Sequence, residues 1–280
     1  MAALTCDFER SARRTRELHE YLSASVLRDE HLVCRHYGRC RSSHFGVFFE
    51  GQLHHVGHSY DLLRDSRPLR IMVVGQEYGG GPAMVTLDER YRMVYQGSGI
   101  GSRFKADGVH RARNPHMRGT TSVLRLLFGL PLGTDHQSEL LEVSGRQVHL
   151  FDAFALVNYL LCTAIASDGG SRGCSTAAMR ENCRGHFCQA LDILDPTVVV
   201  VQGKGFWPLV KRCFDTSRRV SDSLHLARRG SCRAHVAVFS HPSAMGESNW
   251  GLNDHTPYLL ETVVPTVLAL RRSLSASPAP

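Results

Sequence analysis

Four apolar runs in this 280-residue chain are followed by residues that can hydrogen-bond, hold charge or move a proton. Leu69-Arg70-Ile71-Met72-Val73-Val74 runs into Gly75-Gln76-Glu77-Tyr78-Gly79, and Val148-His149-Leu150-Phe151-Asp152-Ala153-Phe154 is followed by Asn158. Pro196-Thr197-Val198-Val199-Val200-Val201-Gln202 leads to Gly203-Lys204-Gly205, and residues 235–239 stop at Ser240-His241-Pro242-Ser243. Each polar residue alone has an ordinary reading: a turn glycine, a solvated Glu77, an Asn158 that satisfies backbone groups, a hydrogen-bonded buried His241. Taken together, a carboxylate, an amide, a cation and an imidazole at successive run ends read as an acid–base and hydrogen-bonding set. A second chemical set is the nine cysteines: Cys6, Cys34, Cys40, Cys162, Cys174, Cys183, Cys188, Cys213 and Cys232. In a reducing compartment disulfides are not expected and metal ligation gains weight, although some thiols serve as small core residues.

These residues need a scaffold. The four runs read as buried strands, being short, continuous and rich in β-branched residues. Helical patterns fall around them: residues 7–32, 122–128, 175–194, 205–214 and 257–274. Strands alternating with helices predict an α/β fold whose parallel sheet is covered on both faces. In such a sheet ligands bind beyond the carboxyl ends of the strands, where the polar residues collect. Residues 76–121, with their glycine runs and their Arg and His residues, read as a long loop, either functional or disordered. Its basic residues Arg103, Lys105, Arg111, Arg113 and Arg118 have a solvated, flexible segment as their bland alternative. The expected organisation is an N-terminal helical extension over residues 1–33, one domain over 34–274 and a loose tail over 275–280.

Hydrophobic content of 42% and charged content of 21% are ordinary for a globular chain. No apolar stretch approaches a membrane span, and the N-terminus turns charged too soon for a signal peptide. A cytoplasmic, nucleoid-associated monomer is expected. Lys+Arg total 33 against 26 Asp+Glu, a net charge of +7. All but Lys105, Lys204 and Lys211 of these cations are arginine, whose fork pairs well with phosphate. A nucleic-acid partner fits that balance. So does an arginine-rich composition with no functional meaning. The histidines of Leu53-His54-His55-Val56-Gly57-His58 lack a metal-ligand spacing and are expected on the surface or in a loop.

The ordered set resembles the uracil-DNA glycosylase superfamily, most closely its iron–sulfur bacterial and archaeal members. Gly75-Gln76-Glu77-Tyr78-Gly79 resembles the first motif, Asn158 with Cys162 the central asparagine motif, residues 195–204 the third strand with its glycine turn, and His241-Pro242-Ser243 the last motif. The resemblance spans residues 34–243 and implies a three-layer α/β/α fold on a central four-stranded, mainly parallel sheet. It also implies a [4Fe–4S] cluster on Cys34, Cys40, Cys162 and Cys183, with zinc as the alternative and Cys174 as a substitute for Cys183.

The function implied is excision of uracil from DNA by hydrolysis of the N-glycosidic bond, after the base is flipped out of the stack. His241 would donate to the uracil O2, and Asn158 would read O4 and N3–H. Glu77 would activate water; alanine is usual there in the iron–sulfur branch and aspartate in another. Gly75, Gln76, Tyr78 and Ser243 would line the substrate site, and His116 would take the place of the stacking aromatic. Lys204, Met245 and Trp250 would contact DNA, the last two as candidate wedges. Two alternatives remain: excision of hypoxanthine or xanthine, and a non-catalytic iron–sulfur protein that binds nucleic acid.

Overall fold

The computed structural model describes residues 3–29, 31–49, 53–76, 86–95, 113–133, 139–165 and 174–276. The chain is a mixed α/β protein built on a seven-stranded sheet. In chain order its strands are β1 (His55–Val56), β2 (Ile71–Gly75), β3 (Ala155–Asn158), β4 (Val198–Gln202), β5 (Thr216–Arg219), β6 (Leu224–Arg229) and β7 (Cys232–Phe239). Across the sheet the order is β5-β6-β7-β4-β2-β3-β1. The pairs β7–β4, β4–β2 and β2–β3 are parallel. The flanking pairs β5–β6, β6–β7 and β3–β1 are antiparallel. The expected four strands are thus extended by three. The β5–β6 hairpin was hidden by its arginines, which break the apolar alternation that marks a strand.

The second central strand lies later than expected. Residues 148–154 finish a hairpin strand and form a 3-10 turn over Leu150–Asp152, and the sheet strand is Ala155–Asn158. An apolar run alone does not separate a buried turn from a buried strand. The other three expected strands differ from β2, β4 and β7 only at their ends.

The helices are α1 (Phe8–Ser25), α2 (Tyr37–Ser42), α3 (Leu87–Arg92), α4 (Pro115–Phe128), α5 (Ala177–Leu194), α6 (Trp207–Lys211) and α7 (Val264–Ala276), and small sheets of two or three strands lie around them; α3 and the first turns of α4 fall where a long loop was expected. Ser275 and Ala276, expected in a loose tail, are the last turn of α7. The helix starts obey capping rules. Asn114 accepts from the Met117 amide at 2.9 Å with Pro115 in the first turn, and Thr176 accepts from the Met179 amide at 3.1 Å.

The strands alternate between two cores, as a period of two requires. Met72, Val74, Val157, Val199 and Val201 join Leu18 and Leu22 of α1 and Phe187 and Leu191 of α5. Ile71, Val73, Leu156, Val198 and Val200 join Leu124 and Leu127 of α4 and Val267 and Leu270 of α7. Both sheet faces are therefore covered, which is why β2 and β4 are wholly buried and, but for Gln202, apolar. No helix among the described residues is long and apolar enough to cross a membrane.

Two charged clusters lie inside. Glu139 bonds Arg113 at 2.6 and 2.8 Å and His149 at 3.0 Å, with Arg125 at 3.3 Å, all fully or nearly fully buried. Arg113 thus belongs to a buried ion cluster and not to a solvated basic loop. Asp61 sits between Arg14 and Arg70, and Arg70 reaches on to Asp195 at 2.7 Å. Cys188 and Cys213 form a disulfide with their Cα atoms 5.3 Å apart, contrary to the expectation that no cysteines pair. Helix α5 and the turn after α6 bring them into bonding range.

Candidate active site at the strand ends

Parallel register brings the polar tips together. Asn158 is paired with Gly75 across β3 and β2. Gln202 is paired with Phe239 across β4 and β7, one residue before Ser240-His241. Beyond the strands, the Tyr159 amide donates to the Gly75 carbonyl at 3.0 Å and the Leu160 amide to the Gln76 carbonyl at 2.8 Å. The Gln76 side chain donates to Ser175 Oγ at 3.1 Å, just before α5.

Gly75 forms a floor. A Cβ there would lie 3.3 Å from Asn158 Oδ1 and 3.4 Å from His116 Nε2. Asn158 is 4% exposed, and its Nδ2 has no hydrogen-bond partner among the described residues. An unmet buried donor of this kind costs about 1–3 kcal/mol, so its retention in a packed site calls for an explanation. His116 stands in the first turn of α4, and burial first, then the neighbouring His241, lowers its pKa to about 3. Its ring centroid is 5.8 Å from that of His241 at a tilt of 32°. His116 therefore meets the site as a neutral imidazole with Nε2 toward the Gly75 floor.

His241 has a defined tautomer. The Ser243 amide donates to its Nδ1 at 3.1 Å, so the neutral ring carries its proton on Nε2. Burial lowers its pKa although part of the ring stays in contact with solvent. The result is a neutral Nε2–H donor on an accessible turn.

Trp250 is not the exposed wedge expected of it. It is fully buried, stacks edge-on against Phe239 and donates from Nε1 to the Ser240 carbonyl at 2.8 Å. Its indole fits over Gly119 of α4, where a Cβ would come within 2.8 Å of the ring and 3.0 Å of Pro242. The amides of Trp250 and Gly251 both donate to the Pro242 carbonyl. Trp250 therefore clamps the His241 turn to α4. Met245 is 78% exposed on the same loop. Lys204 is exposed with Nζ 5.2 Å from the Tyr258 ring, and the Tyr258 hydroxyl accepts from the Ser240 amide at 3.1 Å. Ser243 is exposed beside them.

The site also contains Gln202, which had not been singled out. It is 1% exposed and donates from Nε2 to Thr120 Oγ1 at 3.1 Å. A polar residue closing an all-valine strand was its signal. Glu77 and Tyr78 lie outside the described residues, as do Arg103, Lys105 and Arg111.

The expected thiols also converge. Cys34, Cys40, Cys162 and Cys183 line one apolar recess together with His186 and Asn182. Helix α2 folds the chain so that both Cys34 and Cys40 reach it. Asn182 Nδ2 donates to Cys40 Sγ at 3.3 Å, and Cys34 Sγ lies 3.5 Å from His186 Nε2. Burial, then the other thiols of the recess, pushes Cys183 far above the usual thiol range. Cys174 is exposed and stands outside the recess. Among the described residues no three Cys, His, Asp or Glu side chains close on a single ion.

Neither a protein-family model nor any curated protein matches this sequence. Function must be read from the strand-end site itself. The site offers a neutral donor, an unmet amide and a second imidazole around a glycine floor, an arrangement suited to a flat, hydrogen-bonding heterocycle.

The triplet His54, His55 and His58 divides differently from expectation. His54 and His55 are buried, and burial lowers both to about 3, while His58 stays exposed and stacks on Tyr91 at 4.3 Å. Strand β1 takes His55 into the sheet, which a surface reading of the triplet missed.

Proposed function

We propose that the chain is a uracil-DNA glycosylase-type hydrolase that takes a flipped deaminated base at the ends of β2, β3, β4 and β7. The observation that carries this is the buried, unmet Asn158 amide beside Gly75, with His241 held as an Nε2–H donor on the neighbouring turn. Asn158 Nδ2 would donate to uracil O4 and its Oδ1 would accept from N3–H, a pattern cytosine cannot match. The C1′–N1 bond breaks with its electrons passing to the base, and His241 stabilises the charge that grows on O2. Because the Ser243 amide occupies Nδ1, the neutral ring keeps its proton on Nε2 and presents it as a donor. A donor so placed contributes on the order of 10²–10³ in rate. Water adds to C1′ and gives up a proton to Glu77, the residue proposed to orient it, and the departing base anion takes up a proton after release.

Cys34, Cys40, Cys162 and Cys183 would hold a [4Fe–4S] cluster. Zinc bonds of about 2.3 Å would draw four sulfurs to within roughly 3.8 Å of one another. A cluster instead takes one thiolate at each of four separate irons. What supports a bound metal centre is that the four thiols line one recess, with zinc on the same thiols as the alternative. When bound, the cluster would tie the α2 segment, the loop after β3 and α5 together.

A second reading is excision of hypoxanthine or xanthine. It is favoured by His116, a polar ring at the floor where a larger base could find another hydrogen bond. DNA is the proposed partner, met by a monomer in the cytoplasm at the nucleoid.

The test is base release from oligonucleotides carrying uracil, hypoxanthine or xanthine, single- and double-stranded, followed by alkali cleavage. Strand cleavage at uracil that disappears in His241→Ala supports the reading. Cleavage only at a purine lesion moves the substrate to the second reading. DNA binding without release from any lesion overturns the enzyme and leaves a binding protein.

A further inference from the structure

The β5–β6–β7 edge of the sheet carries its charges unequally on its two faces. Cross-strand register places Arg218 opposite Leu226 and Leu226 opposite His235, and places Thr216 opposite Arg228 and Arg228 opposite Arg233. These residues share one face, because directly paired side chains point the same way and alternate residues follow them. Arg218, Arg228 and Arg233 are all exposed there. Among the described residues no carboxylate pairs with any of the three; Arg228 only donates to the Gly230 carbonyl. The other face packs Ala227, Ala234 and Val236 into the core, and its arginines are matched: Arg229 with Asp192 and Arg219 with Asp222.

Arg228 directly faces Arg233, an arrangement that destabilises a sheet unless an anion lies between the two. Arginine forks are matched to phosphate oxygens in geometry as well as charge. We propose that this face is a contact surface for the phosphate backbone of nucleic acid, separate from the strand-end site. Ser240 lies seven steps along the chain from Arg233, a distance of about 23 Å at roughly 3.3 Å per residue. A nucleic acid occupying both would span on the order of seven nucleotides at about 3.4 Å each.

The test uses the full chain and an undamaged, fluorescently labelled duplex of about 30 base pairs, with anisotropy titrations over a range of salt. Undamaged DNA gives the strand-end site nothing to excise, so the result is independent of the proposed chemistry. Arg218→Gln, Arg228→Gln and Arg233→Gln combined should weaken binding at least about tenfold at low salt and reduce the log–log salt slope by about 2 to 3. Arg219→Gln, on the edge but paired, should change neither. Thermal unfolding of the triple variant should be unchanged or raised, since a like-charge contact is removed. Unchanged DNA affinity and slope in the folded triple variant would overturn the proposal. So would a loss confined to phosphatidylserine vesicles with DNA binding intact.

Discussion

A side chain's protonation here follows from what surrounds it. His241 is useful because the Ser243 amide occupies Nδ1 and leaves the proton on Nε2. His241→Ala should reduce base release by about 10²–10³ while DNA affinity stays within a few fold, measured by single-turnover excision alongside anisotropy. Asn158→Ala removes the unmet amide. It should leave stability near wild type and abolish discrimination between uracil and cytosine, read by competition between the two substrates. His54 has no hydrogen-bond partner for either ring nitrogen among the described residues, and burial holds its pKa to about 3. The unfolded chain takes up that proton near pH 6.5 and the folded chain does not, so stability falls as pH drops from about 6.5 toward 3. Each unit in that window costs about 1.4 kcal/mol per such histidine. His54→Leu should be neutral or stabilising at pH 7 and should flatten the acid slope, tested by urea unfolding at pH 7, 6 and 5. An unchanged slope would mean that the folded chain protonates His54 as readily as the unfolded chain does.

The elements that matter most are the turn after β7 and the helix it rests on. Trp250 bridges them, with its ring over Gly119 and its N–H on Ser240. Trp250→Phe keeps most of the packing and drops one hydrogen bond, a loss of about 1 kcal/mol. Trp250→Ala empties a fully buried site and should cost about 3–5 kcal/mol. If the clamp positions His241, excision should fall in Trp250→Phe by more than the stability loss explains, and DNA affinity should hold. Equal activity in the two proteins would make Trp250 purely a core residue. Three of the four apolar runs made central strands legible in sequence, while the run 148–154 pointed to a strand that lies at Ala155–Asn158. The β5–β6 hairpin was not legible, because Thr216-Ser217-Arg218-Arg219 is an edge strand whose side chains meet solvent and owe nothing to hydrophobic pattern.

For the whole molecule, the sheet sets the distance between two chemical centres. Cys162 follows Asn158 by four residues, so a tie at the thiol recess would act on the chain that leaves the strand-end site. Protein purified without oxygen should carry about four irons per chain with matching sulfide. Cys183→Ala should lose that metal and lower the thermal unfolding midpoint, measured by iron assay and calorimetry. Stoichiometric zinc with no iron would replace the cluster with the alternative. The buried Glu139 cluster sets an acid limit of another kind. Burial would raise its pKa, but the hydrogen bonds from His149 and Arg113 outweigh this and hold it near 2. Its stabilisation is present above about pH 4.5 and is lost as pH falls toward 2. Glu139→Gln should therefore destabilise the protein most at neutral pH and leave little difference near pH 2.

By itself the sequence determined the α/β class, three of the central strands and the polar residues that follow the apolar runs. Those features are local: short apolar runs, capping residues and breaks at glycine and proline carry them. Tertiary structure alone decided the rest. It buried Trp250 and turned a supposed wedge into a clamp, since exposure depends on what packs from elsewhere in the chain. It drew Arg113 into a buried cluster with Glu139, and it set Arg228 opposite Arg233 through strand register. It also left Asn158 Nδ2 without a partner among the described residues. Whether a polar atom is satisfied depends on every neighbour that comes within hydrogen-bonding reach, and those neighbours are brought by the fold from distant parts of the chain.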